Sequence, residues 1–168
     1  MSDVLIYLPP ELRQHNIRGS CVFASITTCL RHAGCFKEAD IFFSRYRGMG
    51  NPQNTKRRLD ECGATYKMIF NASSQEIESI LQKGRPIAVA WGGGHFVTLV
   101  GKVNGNAYIV DNNHPTRYTV LPWNQFISMH RRQGNWGVYI LNGKVPKPIE
   151  RGSLSEWNET LNKMQIKE

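Results

Sequence analysis

The dipeptide Asn104-Gly105 constrains this chain more than any other feature of it. It separates two apolar runs, residues 95–103 and 106–111, and Asn-Gly is the pair that tolerates positive φ at both central positions of a tight hairpin turn. The two runs therefore read as adjacent antiparallel strands. Residues 64–70, 86–91, 117–121 and 136–141 read as further strands, each bounded by turn-forming residues. The first twenty residues read as an extended lead-in, and from Cys21 to residue 63 the period is helical. Val22, Ile26, Cys29, Leu30 and Ala33 recur at three- and four-residue steps until Gly34 ends the run. Residues 36–46 read as a second helix, and Asn51-Pro52 as the cap and first position of a third, which stops at Gly63. Shorter helices fall among the strands, at 73–82, with Ser73 as cap and Glu76 three residues on, and at 123–129. Helices first and then a mainly antiparallel sheet is the α+β class. The first helix contains Val22, Ile26, Thr27 and Thr28, poor helix formers, so packing must hold it and it belongs at the centre.

The chain has 168 residues, 40% of them hydrophobic, which suffices for one cored domain over residues 1–150. Residues 151–168 form a tail whose Leu154, Trp157, Leu161 and Met164 make an amphipathic stripe. It reads as a helix docked on the domain, or as one that meets a partner or a second copy. No apolar run reaches the ~18 residues of a membrane span. The first residues lack a basic stretch and a small-residue cleavage site, so a cytoplasmic protein is expected, with a phage, viral or effector origin left open. Twenty-one basic against thirteen acidic residues give a net charge of +8. Such a surplus attracts polyanions, but no RNP motif, zinc-finger spacing or base-reading helix accompanies it, so it is read as solvated surface and not as a nucleic-acid site. Cys29, His32 and Cys35 are spaced like metal ligands, yet a convincing fourth ligand is missing, so no metal is assigned. No motif calls for a cofactor. The four cysteines are expected to be reduced.

Three sequence positions carry potential chemistry. Cys21 stands at the start of the first helix, where free N–H groups and the helix dipole favour a thiolate. His95 follows Trp91-Gly92-Gly93-Gly94, three glycines that let an extended backbone approach it. Asp111 ends the return strand and is the only acid between Glu78 and Glu150. A strict two-residue loop would pair Thr98 with Asp111 and put His95 on the opposite face of the hairpin. One extra residue in the first strand, with Gly101 as the natural bulge site, pairs Val97 with Asp111 instead. His95 then becomes the same-face diagonal neighbour, about 7–8 Å away between backbones.

Gly19-Ser-Cys-Val-Phe-Ala-Ser25 at a helix start, then Arg85-Pro-Ile-Ala-Val-Ala-Trp-Gly-Gly-Gly-His-Phe-Val-Thr-Leu-Val100 and Ile109-Val-Asp111, resemble the papain-like cysteine peptidases. The nearest branch is the C39-like one, whose bacteriocin-processing members cleave after a double glycine. The resemblance spans roughly residues 12–141 and rests on order and spacing, including the sixteen residues from His95 to Asp111. It implies the papain-like fold, Cys21 as nucleophile, His95 as general base and acid, and Asp111 as the group orienting His95. The family's oxyanion-hole glutamine falls on His15 here. Gln14 is one residue early and is preferred, with His15 and Asn16 as alternatives. The aspartate, usually followed by proline in that branch, is followed by Asn112, which is held in reserve as third member.

The function implied is hydrolysis of peptide bonds through a Cys–His–Asp triad and a thioester. The substrate would be a peptide or protein lying along Gly92, Gly93 and Gly94, walled by Trp91, with small residues beside the scissile bond. Two alternatives keep the fold: another acyl-transfer enzyme, of deamidase or transglutaminase type, and an inactive papain-like binding module.

Overall fold

The central helix is bordered by small residues of the sheet it covers. The structure, a computed structural model, describes residues 3–45 and 48–150; the tail stripe lies outside them. Among the described residues the order is β1 (Val4–Leu5), a 3-10 turn at Pro10–Leu12, α1 (Cys21–His32), α2 (Phe36–Arg45), α3 (Pro52–Cys62), β2 (Tyr66–Phe70) and α4 (Ser74–Gln82). There follow β3 (Ile87–Ala90), β4 (Phe96–Val103), β5 (Asn106–Val110), β6 (Thr119–Pro122), α5 (Trp123–Arg132), β7 (Trp136–Ile140) and β8 (Ile149–Glu150). All pairings are antiparallel: β2-β7-β3-β4-β1-β8, with β5 joining β4 and carrying β6. The fold is α+β.

Period-2 alternation divides the core into two layers. Ala88 and Ala90 of β3, with Phe96, Val138 and Ile140, pack against Phe23, Ile26 and Leu30 of α1 and against Phe42 of α2. Ile87 and Val89 of the same strand, with Val97 and Leu99, face the other layer, where Ile77 and Leu81 of α4 and Phe126 of α5 lie. The two alanines leave room for α1 to sit close to the sheet. Ten of its twelve residues are buried, so burial overrides the poor propensity of Val22, Ile26, Thr27 and Thr28. The α3 start closes a reciprocal cap, Asn51 and Asn54 each accepting from the other's backbone N–H, and Ser73 Oγ accepts from Glu76 N–H at 3.1 Å at the start of α4.

The register of the β4–β5 hairpin contains the expected irregularity, one residue from the expected place. Thr98 pairs with Val110 and Leu99 with Ile109, whereas Gly101 pairs with Tyr108, so Val100 is the extra residue. The physical reason Gly101 follows it lies on the other edge of β4. A Cβ at Gly101 would come within 2.6 Å of the Val4 carbonyl, because β1 pairs there, Leu5 opposite Gly101. Gly101 thus admits β1, a strand too short to leave a sequence signal. Smaller differences are that β4 opens at Phe96 and not at His95, and that α5 runs on to Arg132.

Candidate active site

Cys21 is the first residue of α1, and the helix start is left open. Ser20, the N-cap, makes no capping bond; its hydroxyl accepts instead from the Gly48 N–H at 2.8 Å. The first-turn N–H groups are therefore not consumed by a side-chain cap. The approach to the helix is a tight turn in which Ser20 N–H donates to the Ile17 carbonyl at 3.2 Å, with Arg18 and Gly19 both at positive φ.

His95 closes the turn between β3 and β4. Trp91 N–H donates to the His95 carbonyl at 2.8 Å and His95 N–H to the Gly92 carbonyl at 3.2 Å. Gly92, Gly93 and Gly94 take φ of 44°, 65° and 75°, three successive left-handed residues that side chains would strain. The turn brings the Gly94 carbonyl 4.0 Å from Cys21 Sγ. Trp91 is half-buried against the sheet layer that faces away from α1.

Asp111 directly follows β5, and the observed register continues to put it opposite Val97. His95 Nε2 lies 2.7 Å from Asp111 Oδ1, both side chains largely covered. With Nε2 so engaged, Nδ1 is the ring nitrogen left for Cys21. Burial pushes the Cys21 thiol up, but the His95 ring, the Phe96 N–H and the Val22 N–H outweigh it, and the thiol is held below its ordinary range. Burial opposes the charge on His95 too, but the hydrogen bonds to Asp111 and Cys21 win and raise its pKa to about 9. Asp111, pushed up by burial, is drawn down further by His95 and by the Asn113 N–H, and ends below the usual carboxylate range. These interactions favour the charged form of each group, a thiolate on Cys21 and an imidazolium on His95.

The other cysteines and histidines contrast with this pair. Burial raises the thiol of Cys29, to about 12, and those of Cys35 and Cys62. Cys29 Sγ lies 3.6 Å from the Pro86 carbonyl and Cys35 Sγ 3.9 Å from the Ala33 carbonyl, and the described residues contain no cluster of three metal-ligating side chains. Burial, with Arg85 second, lowers His32 to about 4, and burial lowers His130.

The residues before the helix arrange differently from the sequence expectation. Gln14 N–H donates to Thr28 Oγ1 at 3.0 Å, and its side-chain amide donates to the His15 carbonyl at 3.0 Å; no hydrogen bond joins that amide to Cys21 among the described residues. His15 is exposed. Asn16 is tied to the loop after Asp111: its N–H donates to the Asn112 carbonyl at 2.8 Å and its amide to Asn113 Oδ1 at 2.8 Å. The buried Arg13 fixes this lead-in, its guanidinium donating to the carbonyls of Leu8 and Pro115. Asn112 does not sit as a second partner of His95; its amide nitrogen meets Cys21 O, Ser25 Oγ and Phe96 O. Ser25, one helical turn beyond Cys21, escaped the sequence analysis. Its only signal is the i+4 spacing.

A groove of about 670 Å³ between α3 and β2, lined by Lys56, Asp60, Tyr66, Met68 and Phe70 among others, contains none of the residues just described.

No family model matches the sequence, and no curated protein matches it in sequence. Solved structures do match. A C39-like peptidase from Bacillus anthracis superposes with a TM-score of 0.67 at 12% identity, covering 84% of this chain and 98% of that one. The fold is that of the C39-like peptidases. The peptidase domain of Streptococcus ComA, a bifunctional ABC transporter of a quorum-sensing pathway, gives 0.53 at 12% identity over 83% of this chain and 98% of that one. No described helix is long and apolar enough to cross a membrane.

Proposed function

We propose that this C39-like fold is a cysteine peptidase acting through Cys21, His95 and Asp111. The observation that carries the reading is the opposite displacement of two neighbouring groups, the Cys21 thiol downward and the His95 imidazole upward to about 9, with Asp111 2.7 Å behind the ring. The Cys21 thiolate attacks the scissile carbonyl carbon. The C–N bond breaks as the imidazolium gives its proton to the leaving amine, and a thioester remains. His95, now neutral, takes a proton from water as the water oxygen attacks the thioester. The C–S bond breaks, and thiolate and imidazolium return together. Asp111 orients the ring and stabilises its charge.

The oxyanion would be met by the Cys21 N–H, at the open first turn of α1, and by the side-chain amide of Gln14 after it leaves the His15 carbonyl. The substrate would be a peptide or protein in extended form along Gly92, Gly93 and Gly94, with small residues beside the scissile bond and Trp91 as a wall. A second reading, an inactive papain-like binding module, is favoured by one observation: the Gln14 amide is occupied by the His15 carbonyl. Incubation with a peptide library, read by mass spectrometry, separates the two. The peptidase reading expects new termini with the wild type and none with Cys21→Ala. A library bound but uncut, with Cys21 fully reactive, would put the binding module first.

A further inference from the structure

Three consecutive residues after β5 each engage a different part of the site. Asp111 holds the His95 ring. Asn113 donates its N–H to Asp111 Oδ1 at 3.0 Å and accepts the Asn16 amide on its own Oδ1. Between them Asn112, 3% exposed, is directed inward.

Its carboxamide nitrogen lies 2.8 Å from the Phe96 carbonyl, 2.8 Å from Ser25 Oγ and 3.2 Å from the Cys21 carbonyl. Those acceptors are not arbitrary. One is the carbonyl of the nucleophile residue itself. Another belongs to the residue following His95, whose own N–H faces the Cys21 sulfur. The third, the Ser25 hydroxyl, donates to the same Cys21 carbonyl at 2.9 Å. The amide thus bridges the first turn of α1 to the first residue of β4, elements 75 positions apart in the chain, counted from Cys21 to Phe96.

We propose that Asn112 is a positioning residue: its side-chain amide locks the Cys21 end of α1 against the His95 end of β4 and so sets the Cys21–His95 separation. The inference rests on the Cys21–His95 pairing proposed above. The geometry also distinguishes this role from that of a third triad member. A group orienting the imidazole must accept its N–H, and Asp111 occupies that place, whereas Asn112 presents a donor to three oxygens. The donor is essential. An aspartate at this position has the same shape but turns an acceptor towards the Cys21 and Phe96 carbonyls, which lose their shared donor, and only the Ser25 hydroxyl could bond to it.

The pairing can be read directly. NMR titration of His95 before and after carboxamidomethylation of Cys21 measures how far the thiolate raises the imidazole, and steady-state kinetics on a cleaved peptide supply kcat and KM. In the wild type, alkylation is expected to lower the His95 pKa. In Asn112→Ala that drop should shrink and kcat should fall by about 10²-fold with KM unchanged, the scale of an ångström-sized misplacement of reacting groups. Asn112→Asp should behave no better than Asn112→Ala. Ser25→Ala, which removes one link and leaves the two carbonyls bridged, should show a smaller effect in the same direction. It keeps the test decisive if the Asn112 variants do not fold. The wild-type drop and wild-type kcat persisting in Asn112→Ala, or in Ser25→Ala where that variant alone folds, would overturn the positioning role, whatever happens to the melting temperature. A wild type with no drop on alkylation would instead overturn the Cys21–His95 pairing on which the role rests.

Discussion

His95 Nε2 sits 2.7 Å from Asp111 Oδ1, and the hairpin brings them together only because Val100 is an extra residue in β4. Without that bulge the two side chains would emerge on opposite faces. The relationship converts a strand irregularity into an electrostatic one: Asp111 is one of the two groups that carry the imidazole to about 9 against the cost of its burial.

Removing the carboxylate should therefore move a pH profile. His95 is protonated below about 9, and Cys21 is ionised above its lowered pKa. Peptide cleavage should be bell-shaped, rising as Cys21 loses its proton and falling near 9 as His95 can no longer supply one to the leaving amine. In Asp111→Asn the alkaline limb should shift to lower pH, and kcat should fall far more than thermal stability does. An unmoved alkaline limb would assign it to another group.

Gly101 carries a prediction about stability. A Cβ there meets the Val4 carbonyl at 2.6 Å, so Gly101→Ala must push β1 from β4 or distort the bulge. The cost should be about 1–3 kcal/mol in urea unfolding, as for other overpacked sites. Cleavage should also fall, since the bulge is what aligns Asp111 with His95. An unchanged unfolding midpoint would mean that β1 does not pair at this position.

Gly93 separates substrate binding from the nucleophile. A Cβ at Gly93 meets nothing within 4 Å, so Gly93→Val costs only the backbone strain of a left-handed residue, about 1–2 kcal/mol. Extended peptides lying along this turn would clash with the new side chain. Cleavage of peptides should drop while alkylation of Cys21 by a small reagent proceeds as before. Equal cleavage by Gly93→Val would move the substrate path elsewhere.

The oxyanion assignment is tested by a pair of variants. Gln14→Ala should lower kcat by about 10²–10³-fold, the usual loss of one such donor. Asn16→Ala, which breaks a tie to Asn113, should cost less. The reverse ranking would transfer the role to Asn16.

The sequence made the elements of the fold legible where signals were local. Asn104-Gly105 marked the hairpin, Asn51-Pro52 and Ser73 marked helix starts, and the need for Asp111 to reach His95 called for a bulge, expected at Gly101 and found one residue earlier at Val100. What stayed hidden is long-range. β1 has two residues, too few for any period. Gly101 has a reason only once β1 crosses it. Asn112 and Ser25 meet across 87 positions, and neither residue type announces such a contact. The orientation of Gln14 depends on the lead-in path held by Arg13, which reaches back to Leu8 and across to Pro115. No spacing rule contains that.

The central claim is that Cys21 is a thiolate because His95 stands beside it. Its most direct test is the pH dependence of iodoacetamide alkylation, mapped by peptide to each of the four cysteines, in wild type and His95→Ala. Cys21 should be labelled well below the ~8.5 of a free thiol. Cys29, Cys35 and Cys62, whose thiols burial raises, should stay unlabelled until the protein unfolds. In His95→Ala the Cys21 profile should move to higher pH, with the two proteins converging at alkaline pH. Equal labelling of all four cysteines in the folded protein, or superimposable Cys21 profiles with and without His95, would contradict the claim.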